Sequence, residues 1–373
     1  MKILIATGIY PPDIGGPATY VPKIAREWLS LGHQVKIVTY SDKSHYDFDK
    51  DSDLIVIRIK RASKLSNYLR YYLAIKKLAK ECDVIYAFDH VSAGLPAALA
   101  NKKLKKKFFI RIGGDFIWEK YLDTHKKPVT LRQYYQENLH IKESKRRFKL
   151  IKKVFLAATG FIFTTDFQPI IFKKYYNLPE EKIYNVYNPI SEPATVRHSR
   201  GNVDKNFVFA GRFIRKNNLQ GLLDGYKNIK DKSFSLVLYG EGPLKDWIKE
   251  YVEKNDIKNV IIDKKLSRQE LLAKLKTAYL VIFPSFTDIS PNTMLESISV
   301  DTPFVSSTEI GFDWLKDQAR MFDPLQSKQL TKHLDDLSNP EEYQKYSEVI
   351  KNISYDYSYT QAAQDTLKIF NKK

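Results

Sequence analysis

Three stretches of this 373-residue chain set cations, carboxylates and glycines where an anionic ligand could be held. The run NFVFA leads into Gly211-Arg212-Phe213, with Arg215 and Lys216 close behind. Cations fixed at the carboxyl end of a strand can neutralise phosphates as charge develops on a leaving group. The run LVLYG passes into Gly240-Glu241-Gly242-Pro243, and YLVIFPS passes into Asp288 and, on a following helix, Glu296. Nearer the N-terminus, Gly15, Gly16 and Pro17 stand just ahead of a predicted helix. Glycine lets the backbone approach a ligand, and a helix N-terminus offers N–H groups to an anion. A dinucleotide fingerprint would place GxGxxG directly after the strand, and that pattern is absent.

The elements that must position these residues alternate. Strands are expected at 2–6, 35–40, 54–60, 83–88, 107–112, 160–165 and 183–187, then at 206–210, 234–239, 258–262, 279–283 and 303–306. Helices are expected at 18–31, 66–81, 92–102, 143–157, 217–228, 243–254, 267–277 and 292–299. Such alternation predicts an α/β fold with parallel sheets covered on both faces. The polar stretch 191–205 separates the two series and reads as a linker. It divides an N-terminal domain, 1–190, from a C-terminal one, 206–354. Doubly wound domains bind ligands at the carboxyl ends of their strands, so a cleft between the two is the expected site.

Composition narrows the class. Apolar content of 43% and charged content of 28% describe a globular chain. Cys82 is the only cysteine, which predicts a reducing, cytoplasmic setting. No apolar run approaches the roughly 20 residues that span a bilayer. The net charge of +18 is lopsided. Residues 1–190 hold 34 Lys+Arg against 18 Asp+Glu, the remainder 27 against 25, and residues 101–153 alone 17 against 5. Two readings stay open: a solvated surface, or an anionic partner met by the N-terminal half. Nucleic acid is not the expected partner, because the basic stretches are not interleaved with stacking aromatics.

Other features carry no site. In DFDKDSD the calcium-loop positions for Gly and Glu are Ser52 and Arg58. The seven histidines show no zinc-ligand spacing. Tyr68, Tyr71, Tyr72, Ile75 and Ala79 form a helical stripe that reads as core. Phe148, Ile151 and Phe155 form an apolar stripe within KRRFKLIKK and its flank, which suits packing onto a sheet or an interfacial helix.

Taken in order, the Gly pair near the N-terminus, LGHQV at 31–35, GRF at 211–213, YGEGPL at 239–244, FPS at 283–285 and Asp288-x7-Glu296 resemble glycosyltransferase family 4. The resemblance covers essentially the whole chain. It implies the GT-B fold, two Rossmann-like domains facing across a cleft, with the C-terminal helix within 355–373 crossing back to the N-terminal domain. It implies a retaining hexosyl transfer with no catalytic metal and no cofactor, a nucleotide-diphosphate sugar being the co-substrate. By position, Arg212 would contact the donor diphosphate and Glu296 the ribose hydroxyls. Asp288 would face the donor sugar, and the backbone of Ser290, Pro291, Asn292 and Thr293 would contact sugar and phosphate. Gly15, Gly16, Gly240 and Glu241 complete the donor set.

Three departures stand out. The first acid is Asp288 rather than Glu. The family's lysine position holds Asn217, with Lys216 one place early. The acceptor-side histidine is replaced by Gly113 or Gly114, which turns attention to Asp115, Trp118 and Glu119. The expected activity is therefore transfer of a sugar to a glycan or lipid-linked acceptor in cell-surface polysaccharide or lipopolysaccharide synthesis. The enzyme would be cytoplasmic and peripheral on the inner membrane face, with an anionic membrane surface as a further partner. Alternatives are a nucleotide-sugar epimerase of the same fold and a sugar-binding member that no longer transfers.

Overall fold

The computed structural model describes residues 1–49, 53–125, 127–190, 202–289 and 291–372. Most of the expected linker, and Ser290, lie outside them. The chain forms two compact units. The first comprises Met1–Ile117, Asn138–Pro189 and Ser358–Lys373, and the second Trp118–Glu137 and Ile190–Tyr357.

The first unit is built on β1 (Lys2–Thr7), β2 (Gln34–Ser41), β3 (Ile55–Lys60), β4 (Val84–Phe88), β5 (Lys107–Ile112), β6 (Gly160–Phe163) and β7 (Ile183–Asn185). They form one parallel sheet in the order β3-β2-β1-β4-β5-β6-β7. The central strands β1, β4 and β5 are buried almost throughout, as a sheet covered on both faces requires. The helix Tyr359–Asn371 belongs here, packed on Gly16–Ser30. Trp28 is fully buried and its indole N–H donates to the Ala363 carbonyl at 3.1 Å. Phe370 lies 5.0 Å from the Phe109 ring and 5.2 Å from Tyr86.

The second unit carries β8 (Asp204–Ala210), β9 (Ser235–Tyr239), β10 (Val260–Asp263), β11 (Ala278–Phe283), β12 (Phe304–Ser307) and β13 (Arg320–Phe322). Its sheet is also parallel, in the order β10-β9-β8-β11-β12-β13. In each unit the order reverses beside the first strand, which places a crevice at the carboxyl ends there.

Two differences from the sequence reading matter. Residues Trp118–Glu137 belong to the second unit, although they precede the expected boundary by more than 50 residues. Tertiary contacts explain it. The Leu131 N–H donates to the Thr287 hydroxyl at 3.0 Å, and Arg132 pairs with Glu309 at 3.4 Å. The other difference is unforeseen elements: β13, which is only three residues long, and helices including Phe116–Thr124, Leu131–Gln136, Phe167–Tyr176, Ser327–Ser338 and Pro340–Lys351. In FQPIIFKKYY an early proline masks the helical start. Among the described residues no helix is long and apolar enough to cross a membrane.

Candidate functional site

The site grows from the end of β8. Past Ala210 the chain turns through Gly211–Asn218 and is laced to the loop after β9. The Gly211 N–H donates to the Tyr239 carbonyl at 3.0 Å, Phe213 N–H to Glu241 O at 2.9 Å, and Leu244 N–H to Phe213 O at 3.0 Å. The two loops touch so closely that a Cβ on Gly240 would lie 2.0 Å from the Gly211 oxygen. Only glycine fits there.

Asn218 ties this loop to two more. It sits in the left-handed region, φ 49°, at the cap of helix Leu219–Lys227, and its Oδ1 accepts from the Gly221 N–H at 3.2 Å. Its amide donates to Pro284 O at 3.0 Å, past β11, and to Pro324 O at 2.7 Å, past β13. Phe286 N–H donates to Lys216 O at 3.0 Å. Asp288 is clamped through its backbone, its N–H donating to Glu309 O and its carbonyl accepting from Gly311, both at 2.8 Å.

These ties gather the charged groups. The Lys216 ammonium lies 3.3 Å from Glu119. The Glu119 carboxylate raises the Lys216 pKa above its ordinary value, burial opposes this, Asp288 adds to it and Arg212 subtracts. Lys216 is therefore within electrostatic reach of both Asp288 and Arg212. Asn217, at the family's lysine position, spends its amide on the Arg212 carbonyl at 2.7 Å. Arg215 instead reaches the carbonyls of Leu122 and His125, at 3.2 and 2.7 Å.

Further along, Glu296 lies on helix Asn292–Ser299 and pairs with Arg268 at 3.2 Å. Among the described residues no side chain caps that helix at Pro291, and the N–H groups of Met294 and Leu295 donate to the Pro291 carbonyl. Glu241 is half-exposed and pairs with Lys245 at 2.6 Å. In the first unit, Gly15 caps helix Gly16–Ser30 with φ 152°, and a Cβ there would meet Ile9 at 2.6 Å. Around Gly16 a Cβ would meet nothing, so sterics do not demand glycine.

Trp118 is fully buried and its indole N–H donates to Val129 O at 3.0 Å, which makes it core. Asp115 is buried in the first unit, whereas Glu119 belongs to the second. The stripe Phe148, Ile151 and Phe155 is buried too, with Phe155 5.2 Å from Phe161.

Sequence reasoning missed Asn218, Arg268, Arg132 and Glu309. Asn218 had a local signal, an asparagine just before a helical run; Arg268 had none. Glu309 follows the buried strand β12, where an acid is a signal. Burial raises its pKa against Arg132, and its Oε2 has no hydrogen-bond partner among the described residues.

Two doubly wound units, the second carrying arginine, lysine and aspartate at its strand ends, define a GT-B glycosyltransferase architecture. Residues 14–192 match the family model for Glycosyltransferase Family 4 and residues 204–339 that for Glycosyl transferases group 1. The chain belongs to this family. It is 23% identical over 320 residues to the uncharacterized glycosyltransferase MJ1178 of Methanocaldococcus jannaschii, covering 83% of this chain and 80% of that one. It is similar in structure to WaaG, a glycosyltransferase involved in lipopolysaccharide biosynthesis, at TM-score 0.73 and 16% identity, with all of both chains covered. Anabaena Alr3699/HepE, crystallised with UDP-glucose, gives TM-score 0.72 at 14% identity over 99% of this chain and 97% of that one.

Proposed function

We propose that this glycosyltransferase takes a hexosyl group from a nucleotide-diphosphate sugar and passes it, with retention, to a glycan or lipid-linked acceptor in cell-surface polysaccharide or lipopolysaccharide synthesis. The observation that carries the reading is the grouping of Arg212, Lys216 and Asp288 at the strand ends of the second unit. Arg212 and Lys216 neutralise the diphosphate as it leaves, so no metal is required for that charge. Lys216 takes the part of the family lysine, since Asn217 is committed to the loop backbone. Asp288 faces the sugar, Glu296 holds the ribose hydroxyls, and the backbone of Pro291, Asn292 and Thr293 meets sugar and phosphate.

The new glycosidic bond forms at the anomeric carbon on the face from which the phosphate leaves, as the bond to that phosphate oxygen breaks. The acceptor hydroxyl gives its proton to the departing phosphate, and no side chain need be a strong base. The enzyme works in the cytoplasm and rests on the anionic inner face of the membrane through its basic first unit. The UDP-glucose held by the Anabaena relative makes uridine diphosphate sugars the first donors to try.

A thermal-shift screen of nucleotide sugars tests the reading. A donor at 100 times its Kd should stabilise the protein by about 2.7 kcal/mol. Glu296→Gln should weaken nucleoside diphosphate binding by about 1–3 kcal/mol, as loss of a charge-assisted hydrogen bond does. Unchanged affinity in the folded variant would falsify the ribose assignment.

A further inference from the structure

The helices Gly94–Leu104 and Lys145–Leu156 pack side by side in the first unit, and neither contains an acidic residue. Lys102, Lys103, Lys105, Lys145, Lys149 and Lys153 stand exposed on or beside them. Among the described residues none of the six is in an ion pair. Between the two helices runs a groove of about 550 Å³ lined by Leu95, Leu99, Leu150 and Leu156 among the lysines. Leu156 is 84% exposed and Leu99 50%. A third helix, Lys64–Leu78, packs against Gly94–Leu104 and exposes Leu65, Leu69 and Leu73 at four-residue spacing.

Apart from the half-buried Leu95, these leucines stand outside the core. The buried face of Lys145–Leu156 is Phe148, Ile151, Val154 and Phe155, and that of Lys64–Leu78 includes Tyr71 and Ile75. Aliphatic rows left in water beside uncompensated cations mark an interaction surface. The pairing of the two chemistries selects the partner. A polyanion in water would meet the lysines and gain nothing from leucines, and the groove offers no aromatic ring on which a base could stack. A bilayer uses both, since lipid phosphates attract the cations and the headgroup boundary accepts the aliphatic groups.

We infer that the outer faces of these three helices form a docking surface for an anionic lipid bilayer, with Leu99, Leu150 and Leu156 entering the headgroup boundary. This deepens the membrane-facing part of the function proposed above. It does not depend on the transfer reaction, which nucleotide-sugar thermal shifts on the same variants test separately.

The full chain bearing Leu156→Cys, labelled with an environment-sensitive fluorophore, reports on the contact directly, because Cys82 is buried. Vesicles containing phosphatidylglycerol should shift the emission to the blue and allow quenching by a lipid-borne quencher, and pure phosphatidylcholine vesicles should do neither. Replacing Lys102, Lys105, Lys149 and Lys153 with glutamine should lower partitioning onto anionic vesicles by roughly 100-fold. Replacing Leu99, Leu150 and Leu156 with serine, the charges kept, should lower it by roughly 10-fold. The inference fails if the lysine variant binds as the parent does. It fails equally if the protein sediments with vesicles while the label stays in water. A label that responds to RNA or an acidic peptide but not to vesicles also overturns it.

Discussion

The two units share one strand order, reversing beside β1 in the first and beside β8 in the second, and both pair cations with carboxylates, but only the first sets two adjacent helices of cations without an acid. In the second, cations meet carboxylates: Lys216 with Glu119, Arg268 with Glu296, Arg132 with Glu309, and Arg320 with Asp336 and Glu342. In the first, two adjacent helices carry cations and no carboxylate. A parallel sheet wrapped in helices leaves its strand ends and its outer helix faces free to vary without disturbing the core. The second unit uses the strand ends, where loops locked to one another fix charges in place. The first leaves its outer helix faces basic and apolar.

The comparison can be broken most severely at Asn218, which ties together three loops of the second unit. Asn218→Ala should cost roughly 3–5 kcal/mol, from two buried carbonyls left without donors, a lost cap and a strained left-handed residue. Urea unfolding measures it, and a loss below 1 kcal/mol would mean that the loops hold without it. Gly211–Asn218 would then not be a locked frame.

His90 should make the first unit acid-sensitive. It is buried against Phe155 and Phe172, and neither ring nitrogen has a hydrogen-bond partner among the described residues. Burial pushes its pKa down to about 4. An unfolded histidine titrates near 6.5, so between those values the unfolded chain binds the proton and the folded one does not. Stability is therefore lost as pH falls from about 6.5 towards 4, by up to about 3 kcal/mol at the lower end. His90→Leu should flatten the Tm-against-pH curve in that window. A slope unchanged by the substitution would assign the sensitivity elsewhere.

Fixed charge at the strand ends predicts a rate effect with little loss of stability. Arg212 is exposed, so Arg212→Ala should unfold normally and lose roughly 100-fold or more in turnover. Lys216→Ala, assayed beside it, sharpens the contrast. If Lys216 is the main diphosphate partner it will be the worse of the two, and if both are silent the cation cluster has no part in transfer.

The smallest effect belongs to Glu241. Its pair with Lys245 is a half-exposed i,i+4 contact, so Glu241→Gln should change stability by no more than about 0.5 kcal/mol. A larger loss of nucleotide affinity than of stability would show that its carboxylate serves the donor rather than the helix.

Much of this was readable in the sequence. Twelve of the thirteen strands were legible within a few residues, because parallel strands buried on both faces read as short apolar runs. β13 was too short to signal itself, and Pro169 hid the start of Phe167–Tyr176. Arg212 and Asp288 were legible as polar residues past the ends of β8 and β11, because those strands are buried apolar runs. Spacing could not show that the Asn217 amide donates to the Arg212 carbonyl, a contact that exists only once the loop is folded.

What the sequence by itself determined is the class: alternating periods, two series of them, and motifs at strand ends. The tertiary structure decided the rest, because the rest consists of contacts between residues far apart in the chain. It drew residues 118–137 into the second unit through Thr287 and Glu309. It made Trp118 core and left Glu119 to hold Lys216. It also separated the buried apolar stripe of Lys145–Leu156 from Leu150 and Leu156 on its outside. Periodicity shows that a helix has an apolar face, but only packing decides which apolar residues the core leaves exposed.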